Sequence, residues 1–126
     1  MPQLSIERGK RGEQLAENYL LRRHYRIRER HWTCREGELD FIAYDTGSEQ
    51  LVFIEVKMRT SSLFGSPEEA INNNKKRRLF RAIEQYLIST SHNGSYRFDA
   101  ICIIQKNAQT RISHYKNLGL SEDPSE

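Results

Sequence analysis

The stretch Gly37-Glu38-Leu39-Asp40-Phe41-Ile42-Ala43-Tyr44, then Asp45-Thr46-Gly47-Ser48-Glu49, then Gln50-Leu51-Val52-Phe53-Ile54-Glu55-Val56-Lys57-Met58 decides the fold. The outer segments carry β-branched and aromatic residues, and the middle one has turn chemistry. They predict a hairpin of two strands, Gly37 to Tyr44 and Gln50 to Met58. Residues i and i+2 share a face of a strand, so Glu38 points with Asp40 and Glu55 with Lys57. A symmetric hairpin without a bulge sets Asp40 opposite Glu55 and Glu38 opposite Lys57. The two facing carboxylates would have Cβ atoms ~5 Å apart. Their repulsion is about 3 kcal/mol at an effective dielectric near ~20. A divalent cation between Asp40 and Glu55 removes that conflict, and Mg²⁺ prefers carboxylate oxygens plus retained waters. Lys57, two residues beyond Glu55, could then help polarise an attacking water and stabilise the pentacovalent charge of phosphodiester hydrolysis. The same residues admit a plainer arrangement, with Glu38 and Lys57 as a cross-strand ion pair and Asp40 and Glu55 solvated at a sheet edge.

Working outward, Leu15, Ala16, Tyr19, Leu20, Arg22 and Arg23 recur at helical spacing, which predicts a helix from about Glu7 to His24. Tyr25 to Trp32 alternates and predicts a strand with Arg26, Arg28 and Arg30 on one basic face. Beyond the hairpin, Ser66-Pro67-Glu68-Glu69 has the chemistry of a helix start, with Ser66 as N-cap and Glu69 completing a capping box. Asn72-Asn73-Asn74 predicts a break. A longer helix follows from about Lys75 to Ser89, its apolar face made by Leu79, Ile83, Tyr86 and Leu87. Tyr96 to Ile104 and Gln109 to Lys116 predict two further strands. The order gives an α/β fold, with helices flanking a mixed five-stranded sheet.

At 126 residues the chain fits one domain, expected to span 1–116, with 117–126 an acidic and disordered tail. No run approaches the ~18 apolar residues of a membrane span. The first ten residues lack the apolar core of a secretory signal. Cys34 and Cys102 are too few for a disulfide framework, so a cytoplasmic protein is expected, without a membrane partner. The net charge of +3 hides an asymmetry, because Glu122, Asp123 and Glu126 lie in the last ten residues. The rest holds 20 basic and 14 acidic side chains, a net of +6. Six arginines between Arg22 and Arg35 face one Glu, and Lys75 to Arg81 adds five basic residues without an acid. Two such clusters suggest a polyanion partner, although a solvated basic surface gives the same count.

Gly12-Glu13, Ala16, Tyr19-Leu20, Tyr25-Arg26-Ile27, Gly37-Glu38-Leu39-Asp40, Phe53-Ile54-Glu55-Val56-Lys57, Phe64-Gly65-Ser66-Pro67, Lys75 and Arg97-Phe98-Asp99 together resemble the YraN-like family of small bacterial proteins. That family is similar in fold and motif to archaeal Holliday junction resolvases and other restriction-endonuclease-like nucleases. The resemblance runs from about Gly9 to Ile104. It implies a restriction-endonuclease-like α/β/α sandwich and a nuclease site dependent on Mg²⁺ or Mn²⁺. It maps Asp40 and Glu55 onto the metal acids, Lys57 onto the motif lysine and Glu13 onto the acid of the first helix. Glu17, one helical turn on, could serve in place of Glu13.

The expected activity is therefore a metal-dependent endonuclease or resolvase acting on DNA, linear or branched. Its alternative is a non-catalytic nucleic-acid-binding module, and a third class is a domain whose basic surface meets an acidic protein. Arg26, Arg28 and Arg30, with Lys75, Lys76, Arg77 and Arg78, would hold phosphates without reading sequence. Symmetric cutting of two strands would call for a homodimer. Asp99, inside an apolar strand, is expected to form a structural salt bridge with an arginine. Trp32 is expected in the core or under a cation rather than against a base. His31 and Cys34 lack a second ligand pair for zinc. Cys102 reads as a small core residue, and Phe64-Gly65-Ser66-Pro67 as a loop shaping the edge of the site, where Gly65 could also let a phosphate approach the backbone.

Overall fold

β1 (Tyr25–Cys34), β2 (Gly37–Asp45), β3 (Gln50–Arg59), β4 (Tyr96–Lys106) and β5 (Gln109–Tyr115) lie side by side in that order in one sheet. The pairings are antiparallel except β3 with β4, which is parallel. The coordinates are a computed structural model describing residues 2–59 and 73–120. A parallel pair needs a crossover, and α2 (Asn73–Ser89) lies in it, while α1 (Pro2–Arg22) precedes the sheet. The helix expected from Glu7 begins at Pro2, and the longer helix begins at Asn73. The capping box at 66–69, Gly65 and Asn72 lie outside the described residues, while Asn73 and Asn74, expected with Asn72 to mark a break, form part of the first turn of α2.

The central strand β3 shows why the domain has three layers. Leu51 and Phe53 pack with Leu79, Ala82, Ile83 and Tyr86 of α2. Val52 and Ile54, on the opposite face, pack with Ala16 and Leu20 of α1. A strand apolar on both faces must be covered on both faces, so one helix lies on each side of the mixed sheet. The expected α/β/α sandwich is the observed one. Trp32 stacks edge-on against Tyr86 with ring centroids 5.3 Å apart, a core role rather than an open platform. Gly12 allows α1 to approach β3 closely, since a Cβ there would lie 3.1 Å from the Met58 Cβ.

Asp99 is fully buried and forms the expected structural bridge. Arg97 Nε donates to its two oxygens at 3.0 and 3.2 Å, His114 Nε2 lies 2.7 Å away and the Asn117 N–H donates at 2.9 Å. The same guanidinium reaches Tyr25, Asp45, Ser48 and Gln50. Past β5, the Leu118 N–H donates to the Phe98 carbonyl at 2.8 Å, and Leu118 and Leu120 pack against the α2-side core. The segment expected as a tail from Asn117 is thus held through Leu120. Among the described residues, no helix is long and apolar enough to cross a membrane.

Candidate active site

The hairpin register carries the candidate site. Asp45 pairs with Gln50, and the ladder continues to Phe41 opposite Ile54, the register a symmetric hairpin dictates. Beyond Phe41 a side chain takes over, and the Val56 N–H donates to Asp40 Oδ2 at 2.8 Å. Asp40 is thereby held beside Glu55. Burial first, and then the charge of Glu55, push the Asp40 carboxyl up to about 7, against the opposing Val56 bond. Glu13 and Glu38 add to the rise.

Glu55 is buried and shared by two ammonium groups. Lys75 Nζ lies 2.8 Å and Lys57 Nζ 3.4 Å from the same Oε1. Burial, and next the neighbouring Lys75, lower the Lys57 pKa, while Glu55 resists that shift. Burial would lower Lys75 too, but its bond to Glu55 opposes that and the pKa is raised. Lys75, expected as a phosphate contact on the surface, instead reaches the site from the first turn of α2.

Glu38 does not oppose Lys57. It contacts His31 Nδ1, while His31 Nε2 lies 2.7 Å from Glu13 Oε2. The ladder stops at Phe41, which frees the Glu38 end of β2 from β3 and leaves it paired to β1, where Glu38 lies across from Thr33. The two helix acids have different surroundings. Glu17 Oε1 is held by Arg30 Nε at 2.5 Å, whereas Glu13 stands with His31 and Asp40. Ligand atoms of Glu13, His31 and Asp40 all lie within 4.8 Å of one another. Glu55, the expected second metal acid, is outside that group.

β1 does not present Arg26, Arg28 and Arg30 as one basic face. A register shift between Ile27 and Glu29 inserts a bulge, which reverses the alternation beyond it. Arg26 is exposed, Arg28 lies over the Tyr44 ring 5.5 Å from its centroid, and Arg30 turns to Glu17 of α1. His31 then adopts φ 52°, so Arg30 and His31, though consecutive, both reach α1. On α2, Lys76 is half-buried and Arg77 and Arg78 are exposed. A cleft of about 490 Å³ beside Glu38 and Lys75 includes Arg78, and another of about 370 Å³ beside Glu13 and His31 includes Lys10.

His31 and Lys75 are the members of this cluster that sequence reasoning did not place there. The signal for His31 lies in a bulge and a left-handed residue that the alternation of β1 does not announce. The basic neighbours of Lys75 pointed to a surface role. Cys34, three residues beyond His31, packs against the α2-side core.

The model of the uncharacterised protein family UPF0102 matches residues 12–103, a span that includes every residue of the cluster. The chain is 40% identical over 113 residues to a UPF0102 protein of Carboxydothermus hydrogenoformans, covering 89% of this chain and 94% of that protein. It is 34% identical over 109 residues to one of Myxococcus xanthus, covering 86% and 85%. It is 38% identical over 110 residues to one of Geobacter metallireducens, covering 86% and 88%.

Proposed function

The chain belongs to protein family UPF0102, the YraN family, and on that premise we propose that it is a metal-dependent endonuclease that hydrolyses phosphodiester bonds of DNA. One observation carries the reading. A half-buried aspartate is held beside a buried glutamate with its carboxyl pushed up to about 7, next to two lysines and bordered by open clefts. A structural pair would settle its charges, whereas this arrangement leaves a carboxyl whose ionisation a cation would favour.

The donor set fits a divalent ion. Asp40 and Glu13 offer carboxylate oxygens and His31 a ring nitrogen within one small volume, and Glu55 borders it. Such an ion supplies Lewis acidity toward a phosphate oxygen and a water. Val56 fixes the orientation of Asp40, and Glu55 fixes the ammonium of Lys57. Lys57 then offers its positive charge to the developing oxyanion. Its lowered pKa suits a group that can also give up a proton, which an arginine at this position could not do. Lys76, Arg77 and Arg78 supply charge for the DNA backbone. Symmetric cleavage of branched DNA would pair two such sites in a homodimer.

The second reading is a non-catalytic nucleic-acid-binding module. The ion pair of Lys75 with Glu55 favours it, because that contact neutralises a metal acid from within the chain. Nicking of linear and four-way-branched DNA in millimolar Mg²⁺ or Mn²⁺ decides between them. The endonuclease reading expects cleavage that falls by ~10²–10³ in Lys57→Ala and disappears in Asp40→Asn. DNA binding without cleavage by the parent in either metal would put the binding module first.

A further inference from the structure

We propose that His31 is a metal ligand, and that Glu13, His31 and Asp40 form a two-carboxylate, one-imidazole site for a nitrogen-accepting first-row cation such as Mn²⁺ in preference to Mg²⁺. The inference rests on the endonuclease reading and deepens it, since these three residues are the donors offered there and it names the ion that the imidazole would select.

The three residues come from α1, β1 and β2, and their ligand atoms lie within 4.8 Å of one another. The two ring nitrogens of His31 have different surroundings. Nε2 points into the group, 2.7 Å from Glu13 Oε2, while Nδ1 is held by Glu38. Metal-ligating histidines commonly donate their second N–H to a carboxylate, which fixes the ring and raises its basicity. Glu38 occupies that position. The imidazole can ligate through Nε2 while Nδ1–H keeps donating to Glu38.

The backbone delivers His31 there by an uncommon route. Neighbouring side chains on a strand point to opposite faces, yet Arg30 and His31 engage Glu17 and Glu13, one turn apart on α1. The left-handed φ of 52° at His31 makes this possible, a conformation that is uncommon for a non-glycine residue. Glu13, Glu38 and Asp40 place three carboxyl groups around one imidazole, an environment that favours a cation. Mg²⁺ favours oxygen ligands, whereas imidazole nitrogen suits transition ions. An Asp40–Glu55 site without His31 would treat Mg²⁺ and Mn²⁺ as oxygen-bound ions, and Oε1 of Glu55 is already held by two lysines.

The test uses Mn²⁺ and Mg²⁺ with the full chain at pH 8. Pulsed EPR of the Mn²⁺ complex should show coupling to a ¹⁴N nucleus in the parent and lose it in His31→Gln. Calorimetry should give Mn²⁺ an affinity at least ~10-fold above Mg²⁺ in the parent, with that preference lost in His31→Gln. The parent spectrum needs no variant, so a misfolded His31→Gln cannot obscure the outcome. Absence of nitrogen coupling in the parent, or of Mn²⁺ binding, overturns the proposal. Mn²⁺ bound without nitrogen coupling, together with DNA nicking, removes the His31 site and leaves the endonuclease reading in place. Nitrogen-coupled Mn²⁺ with no nicking supports the site and counts against that reading.

Discussion

Asp99 and Asp40 are the same residue type, and they lie in β4 and β2, the two strands that flank β3. Phe41, next to Asp40, pairs with Ile54 on one side, and Asp99 pairs with Ile54 on the other. Their environments drive them in opposite directions. Burial would raise both carboxyls. Around Asp99 that rise is outweighed by His114, Arg97 and the Asn117 N–H, and its pKa is lowered. Around Asp40 the next largest influence is Glu55, and the carboxyl is pushed up to about 7. The first cluster contains its own counter-charges and stabilises the fold. The second joins like charges and is suited to hold something from outside. A buried carboxylate is therefore not informative by itself, and the sign of its displacement separates the two roles.

The largest effect should come from breaking the satisfied cluster. Asp99→Asn keeps the shape but leaves the Arg97 guanidinium with less compensating charge. Removing one partner of a buried ion pair typically costs ~3–5 kcal/mol, so urea unfolding should show a loss of that order. A loss below ~1 kcal/mol would mean that Asp45 and the neighbouring polar groups suffice for Arg97, and the contrast between the clusters would weaken.

Asp40→Asn should act with the opposite sign. The folded-state carboxyl titrates above its unfolded value, so its penalty is absent below the unfolded pKa and grows as pH rises toward about 7. At pH 8 without metal, the variant should be more stable than the parent by roughly 1–3 kcal/mol. The gain should vanish by pH 4. Asn can still accept the Val56 N–H through its carbonyl oxygen. Equal destabilisation at both pH values would show that Asp40 is a structural residue like Asp99.

How far the sequence foretells these two clusters differs, for physical reasons. Register is a short-range property, set by the Asp45 turn. The Gly47 N–H and the Ser48 hydroxyl donate to the Asp45 carboxylate, and the ladder from Asp45–Gln50 to Phe41–Ile54 follows. Alternation and helical spacing likewise foretell the five strands, the core face of α2 and the need of Asp99 for an arginine. What they miss is departure from regularity. The bulge after Ile27 and the left-handed His31 turn consecutive side chains to one face, which separates Arg30 from Arg28 and carries His31 to Glu13. Lys75 reaches Glu55 through tertiary packing of α2, which spacing along the chain does not encode. His114, without a motif, becomes a buried partner of Asp99 and Tyr19 for the same reason.

The acid limb of the stability profile provides a smaller separation of the two clusters. Asp45 and Asp99 both titrate below their unfolded values. Their contribution is complete above the unfolded carboxylate range and is lost as pH falls through the lower folded values. Melting followed from pH 6 to pH 2 should therefore show the parent losing stability mainly below pH ~4. Asp99→Asn should show a shallower acid limb, and Asp40→Asn one as steep as the parent below pH ~4, with an added fall between pH ~6 and pH ~4 as its gain over the parent disappears. An unchanged slope in Asp99→Asn would assign the acid sensitivity to other carboxylates.

The smallest effect on stability distinguishes Lys75 from the basic residues that follow it. Lys75 is half-buried against Glu55, while Arg77 and Arg78 are exposed on α2. If Lys76, Arg77 and Arg78 face the DNA backbone, replacing all three with Ala should weaken binding similarly across sequences. It should also flatten the salt dependence by up to ~0.9 in log–log slope for each phosphate no longer neutralised. Stability should change by less than ~1 kcal/mol, because surface charges contribute little. Lys75→Ala should do the reverse. It leaves Lys57 alone against the buried Glu55, so stability should fall and the pKa of Lys57 should rise with the removal of a neighbouring cation, while the salt slope stays near that of the parent. NMR titration of the Lys57 side chain, alongside DNA binding at several salt concentrations, measures both responses. A salt slope that drops in Lys75→Ala as far as one neutralised phosphate requires would place Lys75 on the DNA after all. Glu55 would then lose the nearer of its two internal counter-charges whenever substrate binds, and the two clusters would differ by occupancy rather than by construction.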